Sequence, residues 1–410
     1  MMQLRSARSA HSVAPRLLLC LLGAGTAQAA LAQEQGSSPY YLGVSQAFTR
    51  DSNILRRSNA ISDTISSTGL RAGIDQSFGR QHALVGMEIK RNIYNTNTQY
   101  NNTEYGANGR LDWSTVGNIS GTVSANADRS LYRSTYYTGT ERNLQNNRGA
   151  ALQVVVGTVT RWSLDGALST NRSTYSITSG FDIRQNAGGL GLRYRPSDAL
   201  SLRTGVRRTK GEYLATNNDF TRDDLDFDSF IDLSGVSTLS TRVSFTRTNY
   251  DNALARDFRG WTGSVGWNWR PTGKLQFQLT AARDNSVGSV NQYAQLTNNY
   301  AGDTRLSNSL SLQAAYELTS KIALNGSLSY TRRTLDNSFI TVSQAGFQPG
   351  SGKDRTKMAN ISFRYMPLRN VELGCGFGWE DRDVSAVGSS TISFPYTARN
   401  VTCSGQLYLR

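Results

Sequence analysis

Beyond residue 30 the sequence has no apolar run approaching the roughly 18 residues that a membrane-crossing helix needs. Helical periodicity is missing too: apolar residues do not recur every three or four positions, and the helix formers Lys and Glu are scarce. Together these absences exclude a helix bundle, in water or in a bilayer. Histidine is down to 2 residues, of which only His82 lies beyond the N-terminal segment. Hydrolases and acyltransferases built on barrels need a base beside a nucleophile or an activated water, so a lone histidine next to a tight turn speaks against catalysis. Cysteine numbers 3, at Cys20, Cys375 and Cys403. Leu19 stands before Cys20 where a lipoprotein signal has a small residue. No group of His, Cys and carboxylates has metal-ligand spacing. The densest acids, Asp223, Asp224, Asp226 and Asp228, lack the Gly and Glu that complete a calcium loop. The expectation is a chain with no catalytic residue, no metal and no cofactor.

What is present begins with an export signal. Arg5, Arg8 and Arg16 accompany the short apolar run from Leu17 to Gly25, and small residues follow at Ala27, Ala29, Ala30 and Ala32. Cleavage is expected after Ala29 or Ala32, which makes residues 1–29 a signal peptide, 30–39 a short periplasmic segment and 40–410 the folded part. Strand patterning starts at Tyr40 or Tyr41, which leaves no room for an N-terminal plug. Removing three signal arginines and no acid lowers the formal charge from +14 to +11. The remaining excess is almost all arginine, dispersed singly rather than clustered among aromatics, so nucleic acid is not an expected partner. A charged lumen, or an attraction to anionic lipopolysaccharide or polysaccharide, accounts for it better.

Gly, Ser, Thr and Asn abound, Tyr reaches 19 and Pro is only 7, which leaves β as the dominant class. Short turns fall at Gly79-Arg80-Gln81, Gly117-Asn118, Thr158-Val159-Thr160, Pro196-Ser197-Asp198, Gly235-Val236-Ser237, Pro271-Thr272-Gly273, Leu318-Thr319-Ser320 and Pro367-Leu368-Arg369. Their spacing is mostly 36 to 42 residues, stretching to 47 and 49 near the end, with longer polar stretches halfway between. Eight short turns alternating with nine long loops predict an all-β, antiparallel, up-and-down transmembrane β-barrel of about 18 strands, turns periplasmic and loops extracellular.

The strands carry the two-residue period. Ile322, Leu324, Leu328 and Tyr330 share one face, and Ala323, Asn325, Ser327 and Ser329 the other. Such alternation separates core from water in a soluble sandwich and lipid from lumen in a barrel. Aromatics decide between the two. Phe78, Trp113, Trp162, Tyr194, Trp269, Tyr316 and Tyr365 all lie on the apolar face within a few residues of a short turn. Indole and phenol rings prefer the headgroup layer, so seven at one depth read as a periplasmic girdle. The other face is Ala, Gly, Asn and Thr, which no dry core would accept. The mean hydropathy of −0.44 is what such alternation gives. The last strand ends on Arg410 rather than on an aromatic, which shifts the signal for the barrel-assembly machinery inward.

The segment Phe48-Thr49-Arg50-Asp51-Ser52-Asn53-Ile54-Leu55-Arg56 resembles the opening hairpin of the β-barrel porins encoded in exopolysaccharide biosynthesis operons. The resemblance implies an outer-membrane role in polysaccharide secretion, with exopolysaccharide and other secretion components as partners beside membrane lipid and lipopolysaccharide. Asp51 and Asn53 have an ordinary reading as well, because both side chains cap turns. Three functional expectations stand: an exopolysaccharide conduit or accessory barrel, a general porin for small polar solutes, and a structural or adhesive barrel. Aromatic rings lining the lumen would favour sugar passage, but only Phe230 and Tyr408 stand out as inward.

Two constellations remain. Cys375 and Cys403 share outward parity on the last two strands, and a hairpin folded about residue 389 sets them opposite each other, within disulfide range. Asp224, Asp226, Asp228 and Asp232 share one face of a strand, while Arg203 and Arg207 share a face of the strand before. Folding about residues 216–217 sets Arg207 beside Asp226, and the next turn sets Arg242 near Asp228 and Asp232, with Arg193 and Arg195 extending the basic side. Against lipid these charges would be prohibitive, so they are expected in the lumen as rungs of opposite sign. They either orient polar solutes or brace the wall.

Overall fold

The computed structural model describes residues 38–133, 141–215, 219–251, 257–285, 303–337, 350–387 and 395–409. The expected signal peptide and nearly all of the 30–39 segment lie outside them. The strands are β1 (Tyr40–Asp51), β2 (Asp63–Phe78), β3 (Gln81–Tyr94), β4 (Asn102–Ser114), β5 (Ile119–Leu131) and β6 (Leu144–Val156). The middle set is β7 (Trp162–Tyr175), β8 (Ile183–Ser197), β9 (Leu200–Tyr213), β10 (Phe220–Asp232), β11 (Ser237–Tyr250) and β12 (Phe258–Thr272). The last are β13 (Leu275–Asn285), β14 (Asp303–Thr319), β15 (Ile322–Asn337), β16 (Gly350–Leu368), β17 (Val371–Val387) and β18 (Tyr396–Leu409).

Each strand pairs antiparallel with its neighbours in sequence, and β1 pairs with β18 from Leu42 opposite Leu409 to Asp51 opposite Asn400. The sheet is therefore a closed 18-stranded barrel with no edge. Closure matters because an open edge in hydrocarbon would leave a row of backbone N–H and C=O groups without partners. All eight short turns fall where the punctuation places them. Three of them contain proline, and each proline coincides with a register irregularity, between Tyr194 and Ser197, Trp269 and Thr272, and Tyr365 and Leu368. Proline has no N–H for the ladder, so a bulge is where a sheet tolerates it.

The alternation resolves as lipid side against lumen side. Leu70, Phe78, Met87, Leu168, Val206, Phe245 and Leu328 point outward and are exposed. These large side chains find no protein to cover them, and in a barrel their solvent is the bilayer core. The expected girdle forms at the turn end. Phe78 and Trp162 are exposed there, Trp162 packs on Tyr194 at 4.5 Å between ring centres, and Trp267, Trp269 and Phe277 stack at 5.6 Å.

Among the described residues the buried apolar clusters lie inside the barrel at the loop end. Ile54 and Leu55, from the loop after β1, bury against Ile65, Tyr94 and Tyr100. Asn53 Nδ2 donates to the carbonyls of Arg57 and Thr397, and the Asn53 N–H donates to Asp51 Oδ1 at 2.8 Å. Asp51 and Asn53 thus cap the loop that folds into the mouth. Arg56 sits at φ 55°, a left-handed conformation unusual for a residue with a side chain. Its guanidinium holds it there by donating to Asp51 at 2.8 Å and to Glu380 at 2.7 Å.

Candidate functional site

The lumen is built from the inward parity of each strand, and its character changes along the axis. In the turn half, inward Asp75, Asn108, Asn360 and Ser362 are exposed. In the loop half, inward Asp63, Asn102, Thr248, Thr262, Arg333, Asp354 and Arg382 are buried. Among the described residues the loop half thus holds many buried inward polar groups, while the turn half mixes exposed ones with a buried patch at Ser163, Asp165 and Arg193.

A charge lattice lines the wall from β7 to β13. Arg203 on β9 donates to Asp165 on β7 at 2.7 Å and to Asp228 on β10 at 2.9 Å, and Arg242 on β11 reaches the same Asp228 at 2.7 Å. Arg203 crosses β8 because Gly191 lies beneath it: a Cβ there would stand 2.3 Å from its Nη2. Glycine is the residue that allows a guanidinium to lie this flat on a sheet. Nearer the loops, Arg207 contacts Asp224 at 3.0 Å and Asp226 at 3.4 Å, and Arg222 joins Asp224 to Asp284 on β13. Ser244 and Thr246 donate to Asp226 and Asp224, so these buried carboxylates are satisfied on both sides.

Several sequence expectations need correction here. The β9–β10 register is offset by two residues: Arg207 lies opposite Asp224, while Asp226 faces Gly205 and meets Arg207 only on the diagonal. The cause is at the loop, where Phe220 lies opposite Gly211 with its ring in the space a Cβ would fill, which pins the register. Arg242 pairs with Asp228 and not with Asp232. Asp232 instead accepts the backbone N–H groups of Ser234 and Gly235 and caps the short turn. Arg193 lies opposite Arg203 and 4.0 Å from Asp165, at the edge of the lattice. Arg195 donates to the Thr158 carbonyl of the neighbouring turn and is no rung.

Sequence reading passed over Asp165, Arg222 and Asp284, and also the loop-end pairs Arg56–Glu380 and Arg333–Asp354, the latter at 2.5 Å and fully buried. Parity signals each one: Asp165, for instance, alternates with outward Leu164 and Gly166 on a strand that is otherwise polar inside. Strand pairing beyond one hairpin is what selects their partners. Inward aromatics are also more numerous than Phe230 and Tyr408. Tyr94, Tyr175, Tyr213, Phe220, Tyr250 and Tyr396 all close the loop ends of their strands on the inner side. Most are buried, and they pack in pairs such as Phe220 with Tyr250 at 5.8 Å, so their faces are covered. Cys375 and Cys403 are directly opposed on the outer face, 4.1 Å apart at Cα, and joined by a disulfide. His82 pairs with Asp75 at 2.7 Å beside the first short turn.

A closed antiparallel barrel with an apolar outer belt, an aromatic girdle and a charged polar interior is an outer-membrane β-barrel of porin size. Solved structures with a similar fold include the outer membrane protein OpdK of Pseudomonas aeruginosa, 13% identical over 90% of this chain and 99% of that one, with a TM-score of 0.49. OccD3 (OpdP) of the same organism is 13% identical over 91% of each chain, with a TM-score of 0.49. OccAB3 of Acinetobacter baumannii is 9% identical over 90% and 99%, with a TM-score of 0.48. No protein-family model and no curated protein matches the chain, so the expected kinship with exopolysaccharide-operon porins finds no support there.

Proposed function

We propose that the chain is an outer-membrane channel for small polar solutes, screened by the charge lattice that lines its lumen from β7 to β13. The observation that carries this reading is the inward lattice of paired arginines and aspartates, which begins near the short turns at Arg193 and Asp165 and continues toward the loops at Arg222 and Asp224. A polar lumen with such a charged zone admits hydrated small molecules and screens them by size and dipole. The zone is nearly balanced in sign. Arg193, Arg203, Arg207, Arg222 and Arg242 face Asp165, Asp224, Asp226, Asp228 and Asp284, which suits dipolar solutes better than ions of one charge.

The conduit for exopolysaccharide has less behind it. A sugar polymer passing through would use open ring faces, and among the described inward rings Phe230 is exposed while most of those at the loop ends are buried. Planar-bilayer recording of the refolded protein tests the channel reading. Stepwise conductance with weak ion selectivity is expected; a barrel that inserts and never conducts would remove it in favour of a structural or adhesive role.

A further inference from the structure

Half a turn around the barrel from the charge lattice, the wall formed by β17, β18, β1, β2 and β3 is built differently. Its inward positions in the turn half include Gly43 on β1, Gly73 on β2, and Gly374 and Gly376 on β17. Glycine weakens a strand interior, and one of its uses there is to let another group come close to the sheet. Over two of these glycines the chain supplies the cover itself. The Tyr41 ring stands over Gly73, where a Cβ would run into it, and the Tyr408 ring stands over Gly43, its Cδ1 3.0 Å from where a Cβ would be. Both glycines are buried in consequence, while both rings stay partly exposed. Over Gly374 and Gly376 no large side chain lies; the nearest are Ser404 and Ser362.

The two tyrosines meet edge to face, with 6.3 Å between ring centres and 73° between planes, and so form a corner. Tyr41 is the second residue of β1 and Tyr408 the last but one of β18, which puts the corner at the turn-side mouth of the lumen. Polar groups converge on it. Gln406 Oε1 accepts from Tyr408 Oη at 2.7 Å and from Arg71 Nη1 at 2.9 Å, and Arg71 Nη2 donates to Glu88 Oε1 at 3.1 Å. The Gln406 carbonyl is thereby satisfied. Its amide, the second Glu88 oxygen and the Glu372 carboxylate, which lies opposite Gln406, have no hydrogen bond or ion pair among the described residues. Arg71 and Arg364, the latter opposite Gly374, match Glu88 and Glu372 in number, so the corner favours neither sign of ion.

An aromatic face is the negative side of the ring quadrupole and attracts polarised C–H groups. Unpartnered amide and carboxylate groups exchange hydrogen bonds with hydroxyls, each of which donates and accepts. A pyranose carries both features, a face of C–H bonds and a rim of hydroxyls. We propose that the wall at Tyr41 and Tyr408 is a binding subsite for a neutral pyranose sugar. The C–H face of the sugar lies in the corner of the two rings, and its hydroxyls accept from the Gln406 amide and donate to Glu88 and Glu372. One pair of rings makes one subsite and no track, which suits a mono- or short oligosaccharide rather than a polymer. The inference deepens the channel reading by naming a solute class, and rests on that reading for the route by which the sugar arrives.

The test uses the folded full-length barrel in detergent, with glucose, galactose and mannose as probes. Mannitol is the comparison, having the hydroxyls and no ring. Saturation-transfer NMR titration should show at least one hexose bound about fivefold more tightly than mannitol, the worth of one ring contact. Tyr408→Leu keeps apolar cover over Gly43 and removes the ring, so it should erase that preference, whereas Phe230→Leu on the far wall should leave it intact. Equal binding of hexoses and mannitol, an unchanged preference in Tyr408→Leu, or its loss in Phe230→Leu overturns the proposal. Should Tyr408→Leu fail to fold, Glu372→Ala removes a carboxylate that no ion pair holds and should weaken hexose binding severalfold; unchanged binding there refutes the subsite. A barrel that conducts and shows no preference for the ring refutes this inference alone. One that binds hexose and never conducts refutes the channel and leaves the subsite.

Discussion

At the scale of single residues, the lumen lattice depends on a few placements that chemistry leaves little choice about. Arg203 shares two carboxylates across three strands, and it reaches them only because Gly191 leaves the sheet bare beneath it. Asp226 and Asp228 differ in kind: the first is buried and tied to Ser244 as well as Arg207, the second is partly open and held between Arg203 and Arg242. Replacing both, as Asp226→Asn with Asp228→Asn, leaves Arg203 and Arg242 short of negative charge. If they line an open passage, the reversal potential should shift toward anions while folding is kept, as read in a salt gradient across a planar bilayer. A double variant that keeps its selectivity and loses its heat-modifiable mobility makes the lattice a brace, because breaking a buried pair exposes an uncompensated charge. No change in either measurement would refute both roles.

At the scale of elements, the last hairpin is closed covalently. β17 and β18 carry the bridge between Cys375 and Cys403, which face outward between Phe363 and Phe48 on the flanking strands. The bridge closes a segment 28 residues long, for which chain entropy gives about 3–4 kcal/mol of stabilisation. Its position in the apolar belt shields it from water-soluble reductants. The folded barrel should therefore yield no free thiol to a hydrophilic reductant, yet yield two after unfolding, when titrated with a thiol reagent. Two free thiols in the unfolded, unreduced protein would show that no bridge forms. Changing both to Ser should lower the unfolding temperature by several degrees without altering mobility of the folded form.

For the whole molecule, the asymmetry between ends is the main property. Short turns and the girdle lie at one end; long loops and the buried pairs Arg56–Glu380 and Arg333–Asp354 lie at the other. Cysteine placed at Ser197 in the fourth short turn should resist an impermeant label in whole cells, whereas one at Asn59 in the first loop should react. The opposite pattern would invert the barrel.

Strand number, turn positions, the lipid-facing parity and the girdle were all legible in the sequence, because a barrel strand writes its two faces as a two-residue alternation. Local pairing was legible where one hairpin sufficed, as for Cys375 and Cys403. It slipped at Arg207, where alternation fixes parity but an offset of two keeps every side chain on its own face. The packing of Phe220 over Gly211, at the loop end of the two strands, selects between those registers. Contacts spanning several strands, such as Arg203 with Asp165 or Arg222 with Asp284, depend on closure and curvature. So does the burial of loop-end groups, including the first loop's descent into the mouth. The sequence by itself determined that the wall is a barrel and which way each side chain points, since bilayer and lumen impose opposite solvents on alternate residues. Tertiary structure alone decided which inward side chains meet, because their partners sit on strands brought together only by the register and closure of the barrel.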